Sequence, residues 1–308
     1  MVIEKNLKLF GFDNYFDDFS NLYKSKKLPN KILISGKKGI GKTTFSYHLI
    51  NFILSSNEEF TYDYNEKEIN LLNKSYKLIH NRTHPNFFRI SINEEKKFIE
   101  INQIREMINF INKSTFKNNI KLILIENVEL LNQFSANGLL KSLEEPNSNV
   151  VFILLLNNEN KCLETIKSRC IEYKINLKRK FLSEIVNFYF KDDVFDKISR
   201  DFINFYISPS ELIKFIIFCN SEKLNYKDLS IDEFLKYYFE NSIYKKNNII
   251  NDDIKLYLQL FFFNKINSIK NNDFIDLYNY FNQKFNFINK FNLDKESFFI
   301  EFNNKVFK

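Results

Sequence analysis

The run Gly36-Lys37-Lys38-Gly39-Ile40-Gly41-Lys42-Thr43-Thr44 is the part of the sequence best equipped for chemistry. It has the spacing G-x-x-x-x-G-K-[ST] of a phosphate-binding loop. Glycine is favoured where the backbone needs positive φ or must approach a ligand closely. The chain has only five glycines, and Gly36, Gly39 and Gly41 fall within this one loop. Loop N–H groups and the N-terminus of a following helix would face phosphate oxygens. Lys42 would reach the β- and γ-phosphates of ATP, and the Thr43 hydroxyl, with Thr44 beside it, would ligate Mg²⁺. An ordinary strand-to-helix turn is the plain alternative, but motif, glycine clustering and flanking periodicity agree against it.

A second set of residues follows the apolar run Lys121–Ile125. In P-loop ATPases the Mg²⁺-linked carboxylate closes such a strand, and Glu126 stands in that place. Many of those enzymes carry a second acid next door to act on the attacking water. Here the neighbour is Asn127, an amide that holds a water but cannot accept its proton at neutral pH. Binding of ATP with Mg²⁺ is compatible with this set, whereas hydrolysis in the chain's own site is expected to be weak or absent. Glu129 is expected to face the following helix. Asn157 or Asn158, just after a further apolar run, is the candidate γ-phosphate sensor.

The elements needed to place these groups are legible. Lys31–Ser35 reads as a buried strand before the loop, and Phe45, Leu49, Phe52 and Ile53 form one face of a helix after it. Residues 87–92, 121–125 and 150–156 read as strands, with 171–175 as an edge strand. Between them, Ile101, Ile104, Met107, Ile108 and Ile111 make one helical stripe. Ala136, Leu139, Leu140 and Leu143 make another, stopped by Pro146. This alternation predicts an α/β fold with a parallel sheet. The polar stretch 55–83 reads as an insertion, partly helical around Ile69–Leu78. After Leu177 strand-like runs cease, and Phe, Tyr, Ile and Lys recur at helical spacing. The expected domains are therefore 1–177 for nucleotide binding, 178–228 as a small helical lid and 229–308 as an all-helical C-terminal domain. Lys178-Arg179-Lys180 reads as a solvated linker, and the aromatic stripes read as core.

Composition sets the remaining bounds. The chain has 308 residues, a formal charge of +7 and 44% hydrophobic residues, enough to build cores and to argue against wholesale disorder. No apolar run approaches the ~18 residues of a membrane span, and Met1–Lys5 opens no signal-peptide pattern. Cys162, Cys170 and Cys219 lack metal-ligand spacing, so no zinc is expected, and a reducing cytoplasm fits. A positive charge attracts phosphate backbones but reads no sequence, so any contact with DNA would be non-specific.

Several motifs resemble one family. Asn137–Pro146 (NGLLKSLEEP) is similar to the N-A-L-L-K-x-L-E-E-P signature of bacterial sliding-clamp loaders, the AAA+ subunits of DNA polymerase III. Thr165–Cys170 (TIKSRC) is similar to their T-I-x-S-R-C motif. His84-Pro85-Asn86, Ile101–Arg105 (INQIR), Leu28-Pro29 and Phe10-Gly11 resemble further segments, in order, over about residues 8–175. The resemblance implies a P-loop AAA+ sheet flanked by helices, a helical lid and a C-terminal collar domain.

Three departures separate the chain from the gamma/tau motor of that family. No cysteine stands between Gly36 and Pro85, where the motor, like many of its non-motor relatives, carries a four-cysteine zinc module. Asn127 weakens the hydrolytic set. The lid run Ser208-Pro209-Ser210-Glu211 has an acid where active relatives have an arginine on the γ-phosphate. The resemblance then implies a non-motor subunit in a hetero-pentameric ring with gamma/tau and delta subunits, which opens the sliding clamp and places it on primed DNA. It also implies a role for Arg169 as an arginine finger inserted into a neighbour's ATP site. Only six of the 45 basic residues are Arg, so an Arg kept here runs against the composition. A gamma/tau-like motor and an autonomous P-loop ATPase are the alternatives.

Overall fold

The computed structural model describes residues 6–92, 96–113, 120–145, 149–158, 163–246, 249–269, 272–291 and 293–307. Pro146 and Cys162 lie outside them. The chain divides into two compact units, 1–185 and 186–308. Most of the segment anticipated as a lid thus shares a unit with the C-terminal helices.

The first unit is built on five parallel strands in the order β2-β3-β4-β1-β5. They are β1 (Lys31–Gly36), β2 (Phe87–Ile90), β3 (Lys121–Ile125), β4 (Val150–Asn157) and β5 (Ile171–Lys174). Helices α1 (Asp13–Lys24), α2 (Lys42–Leu54), α3 (Lys74–His80), α4 (Ile101–Asn112), α5 (Gln133–Glu144) and the short α6 (Glu164–Lys167) connect and cover them. The three inner strands are apolar on both faces, as expected of strands covered on both sides. Alternation sorts their residues. Ile32, Ile34, Leu122, Leu124, Val151, Ile153 and Leu155 pack with Phe16, Phe45 and Leu49 of α1 and α2. Leu33, Ile123, Ile125, Phe152 and Leu154 pack with Ile104, Met107, Leu139 and Leu143 of α4 and α5. Gly138 lets those two helices close up, since a Cβ there would meet Ile101 and Ile104 at 3.2 Å. The sheet order, the connectivity and the helical part that follows make this an α/β fold of AAA+ type.

The stretch 55–83 is packed in the first unit and is helical over Lys74–His80, starting within the expected region. Tyr62, Ile69, Tyr76 and Ile79 are buried in the α1/α2 layer, and helix formation waits until Lys74. Asn73 sets that start, because its side chain accepts from the Tyr76 N–H at 2.7 Å as an N-cap.

Helix α7 (Phe181–Phe190) spans the junction of the units. The second unit then contains α8 (Arg200–Ile203), α9 (Pro209–Ser221), α10 (Ile231–Glu240), α11 (Ile254–Ile269), α12 (Asn272–Phe291) and α13 (Glu296–Val306). Its core is aromatic. Phe202 stacks on Phe215 with centroids 4.1 Å apart, and Phe234, Tyr238 and Tyr257 join them. The aromatic stripes are thus core, as their helical spacing indicates.

Candidate functional site

The glycine loop joins the C-terminal end of β1 to α2. Gly39 and Gly41 adopt φ of +78° and +105°, a region most side chains avoid. Gly41 is the N-cap of α2, so the free N–H groups of the first helical turn open onto the loop. Gly36 is required for another reason: a Cβ there would lie 2.6 Å from the Ile175 carbonyl oxygen. Thr43 and Thr44 are partly exposed on the first turn of α2.

Lys42 is only 6% exposed. Its Nζ donates to Gly36 O at 2.9 Å, Lys37 O at 2.7 Å and Asn157 Oδ1 at 2.8 Å. An ammonium has three protons, and each has an acceptor here. Of the 157–158 pair it is Asn157 whose side chain meets Lys42, while the Asn158 backbone N–H donates to Gly36 O at 3.1 Å. Strand parity explains this, since Asn157 continues the Val151, Ile153, Leu155 row that faces α2. Its Nδ2 donates to Asn127 Oδ1 at 2.9 Å and to Glu129 Oε1 at 2.7 Å.

Glu129 therefore turns toward the C-terminal edge of the sheet, not toward the following helix as the sequence suggested. The cause is Asn127, which takes the left-handed conformation, φ +53° and ψ +55°. Asparagine tolerates that region better than most residues, and the chain reverses into a 3₁₀ turn, Val128–Leu130, that carries Glu129 back.

Glu126 is held by a residue that motif spacing did not single out. Arg89 of β2 donates from Nε to Glu126 Oε1 at 2.8 Å and from Nη2 to Oε2 at 3.1 Å. Arg89 is in register with Leu124 of β3, so Glu126 lies two residues on and on the same face. The Tyr47 ring of α2 lies 5.9 Å from the guanidinium. Tyr47 is itself buried, which pushes its phenol up to about 12. The one available signal was an arginine on the α2-facing parity of a strand otherwise written FFRISI.

The loop, its glycines and the helix terminus fit a polyphosphate, which Lys42 would meet only by exchanging one of its three present acceptors. The carboxylate that should face Mg²⁺ is instead paired with a cation of the chain itself, each of its oxygens accepting an N–H group of Arg89. Among the described residues no group of three His, Cys, Asp or Glu is arranged to hold a metal ion, and neither Cys170 nor Cys219 is in a disulfide.

Arg169 lies elsewhere. It precedes β5, whose first residue Ile171 is in register with Ile32 of β1. Gly36 is four residues further along β1, roughly 13 Å at ~3.3 Å per residue. Arg169 is thus at the N-terminal end of the sheet and the glycine loop at the other. Its side chain is 34% exposed. It donates to Glu144 Oε1 from Nε at 3.0 Å and from Nη2 at 2.5 Å, and to Thr165 O from Nη1 at 2.9 Å. It borders an open cleft of about 360 Å³ shared with Pro29, Asn30, Lys31 and Ile171.

In the second unit, Glu211 is committed to its own helix. Its Oε2 accepts from Ser208 N and Oγ, each at 2.7 Å, in a capping box that starts α9. The acid of the Ser208–Glu211 run is a helix cap.

Residues 12–179 match the family described as DNA polymerase III, delta subunit. The chain is 32% identical over 140 residues to DNA polymerase III subunit delta' of Pseudomonas aeruginosa, covering 46% of this chain and 41% of that one. It is 30% identical over 282 residues to the delta' subunit of Buchnera aphidicola from Schizaphis graminum, covering 86% and 81%. The gamma subunit of the same Buchnera is 30% identical over 195 residues, covering 63% and 50%. Several of these matches span about half or less of the relative's length. A solved gamma subunit-related protein from Thermotoga maritima superposes with a TM-score of 0.48 at 18% identity, over 85% of this chain and 90% of that one. The matched segment begins just before α1 and ends past the Ser-Arg-Cys motif, and with the long Buchnera match it shows that the chain belongs to the delta-prime family of DNA polymerase III subunits.

Proposed function

We propose that the chain is a stator in a clamp-loader ring, where it supplies Arg169 to the ATP site of a gamma/tau-type neighbour. Its own P-loop would hold nucleotide statically, with little or no hydrolysis. The reading rests above all on the position of Arg169, at the end of the sheet opposite its own loop and open to solvent. A guanidinium there is out of reach of the phosphates that Lys42 would hold. It is a fixed fork of donors suited to phosphate oxygens. Its tie to Glu144 is a surface pair, worth ~0–1 kcal/mol, so exchanging that partner for a phosphate costs little. Fingers of this kind give ~10³–10⁵ in rate, roughly 4–7 kcal/mol of barrier.

Within its own loop, Lys42 and the α2 N-terminus would bind phosphate, Asn157 would hold Lys42 in place, and Asn127 offers no proton acceptor. Delta subunits, the sliding clamp and primed DNA are the further partners of this reading, with DNA contacted non-specifically. The test is a ring assembled from gamma/tau, delta and this chain. Arg169→Ala should leave assembly intact by gel filtration and sharply reduce the clamp- and DNA-stimulated ATPase. Unchanged ring ATPase would overturn the role. The alternative, an autonomous ATPase or motor, draws on Glu129, which reaches the C-terminal sheet edge. It requires the purified chain alone to turn over ATP at several per second.

A further inference from the structure

The nucleotide reading of the P-loop leaves the metal unassigned, and the Arg89–Glu126 pair bears on it directly. In a Mg²⁺-dependent P-loop the strand-end carboxylate faces the metal. Here two parallel N–H···O bonds engage both Glu126 oxygens, at 2.8 and 3.1 Å. The pair is largely sheltered, with Glu126 12% and Arg89 28% exposed, and Tyr47 lies beside the guanidinium. Bidentate pairs of this kind are strong and geometrically specific. Pulling Glu126 away toward a metal would strand a sheltered guanidinium, a costly step. Neighbouring strands set the pairing, since Arg89 and Glu126 stand diagonally on the face that also carries α2.

We infer that Arg89 is the resident counter-cation of Glu126 and takes the place of the divalent metal, so that this P-loop binds a nucleoside polyphosphate without requiring Mg²⁺. The inference rests on the nucleotide reading given under Proposed function. Its chemical content is a division of labour. Lys42 and the α2 N-terminus supply the positive field for the phosphates, while Arg89 neutralises the carboxylate that would otherwise repel them.

Titration calorimetry of the full chain with ATP tests this, once in excess EDTA and once in excess MgCl₂. The affinities should agree within about threefold. Glu126→Gln removes the anion and leaves the Arg89 charge uncompensated, so binding in EDTA should be no weaker than in the natural chain and should still not depend on Mg²⁺. Arg89→Met frees the carboxylate and should weaken binding in EDTA by about tenfold or more, with Mg²⁺ restoring it. Melting curves without ligand confirm that both variants fold. Binding at least about tenfold tighter with Mg²⁺ in the natural chain, lost in Glu126→Gln, overturns the inference and leaves the nucleotide reading standing. No binding in either buffer removes the nucleotide reading, and the inference with it.

Discussion

Lys121 begins the third strand and is 1% exposed, in a run that otherwise reads as pure strand core. Its Nζ donates to Phe110 O at 2.6 Å, Ile111 O at 3.0 Å and Lys113 O. These are carbonyls at the C-terminal end of α4, groups a helix leaves unsatisfied and of partial negative charge. The buried ammonium is thus a cap that ties α4 to β3. Lys121→Met keeps the stem and removes the charge, leaving three carbonyls without that donor. A loss of about 2–3 kcal/mol is expected, read as a lower urea midpoint at unchanged slope. Residue-level legibility was uneven for the same reason. Lys42 and Thr43 follow from a contiguous motif, whereas Arg89 meets Glu126 only because two distant strands are neighbours in the sheet.

Helix starts and single anchors decide what two stretches do. The sequence Ser208-Pro209-Ser210-Glu211, which has an acid where active relatives have an arginine, is also a capping box with proline at the first helical turn. The structure uses it in that way, with both partners buried. Ser208→Ala removes the side-chain acceptor for the Glu211 N–H and a donor to its carboxylate. It should lower stability by about 1–2 kcal/mol, seen as a reduced melting temperature. Likewise, the region 55–83 lacks periodicity because it packs through single anchors. Tyr62 stacks on Phe16 at 5.1 Å and meets His48 Nδ1 at 2.9 Å. Anchors spaced irregularly along a connection leave no repeat to read. By contrast α2, α4 and α5 were legible, because each lays an apolar face on the sheet.

For the molecule as a whole, unfolding is coupled to proton uptake. His48 is fully buried, and burial lowers its pKa to about 4 from 6.5. Its Nε2 faces Asn6 O at 2.9 Å, which can only accept. The neutral ring therefore carries its proton there and accepts from the Tyr62 hydroxyl at Nδ1. Burial also lowers partly exposed His84 to about 4. In the unfolded chain both protonate near 6.5. The unfolded state thus binds more protons between pH 6.5 and 4, and stability falls as pH drops through that window. His48 alone accounts for about 3 kcal/mol of this, with a smaller share from His84. Urea titrations at pH 7 and 5 should show the loss, and His48→Gln should flatten it. No described helix is long and apolar enough to cross a membrane.

The linear sequence by itself determined the α/β class, the five strands, the glycine loop between strand and helix and the family, because each is written in contiguous residues or in a local period. Only the tertiary structure decided which groups meet at the C-terminal sheet edge: Asn157 with Lys42, Glu129 with Asn157, Arg89 with Glu126. It also decided that Arg169 stands at the opposite end of the sheet from its own loop. Those outcomes depend on strand order and register. Order and register come from how the apolar faces of distant segments pack together, which no single stretch of the chain encodes.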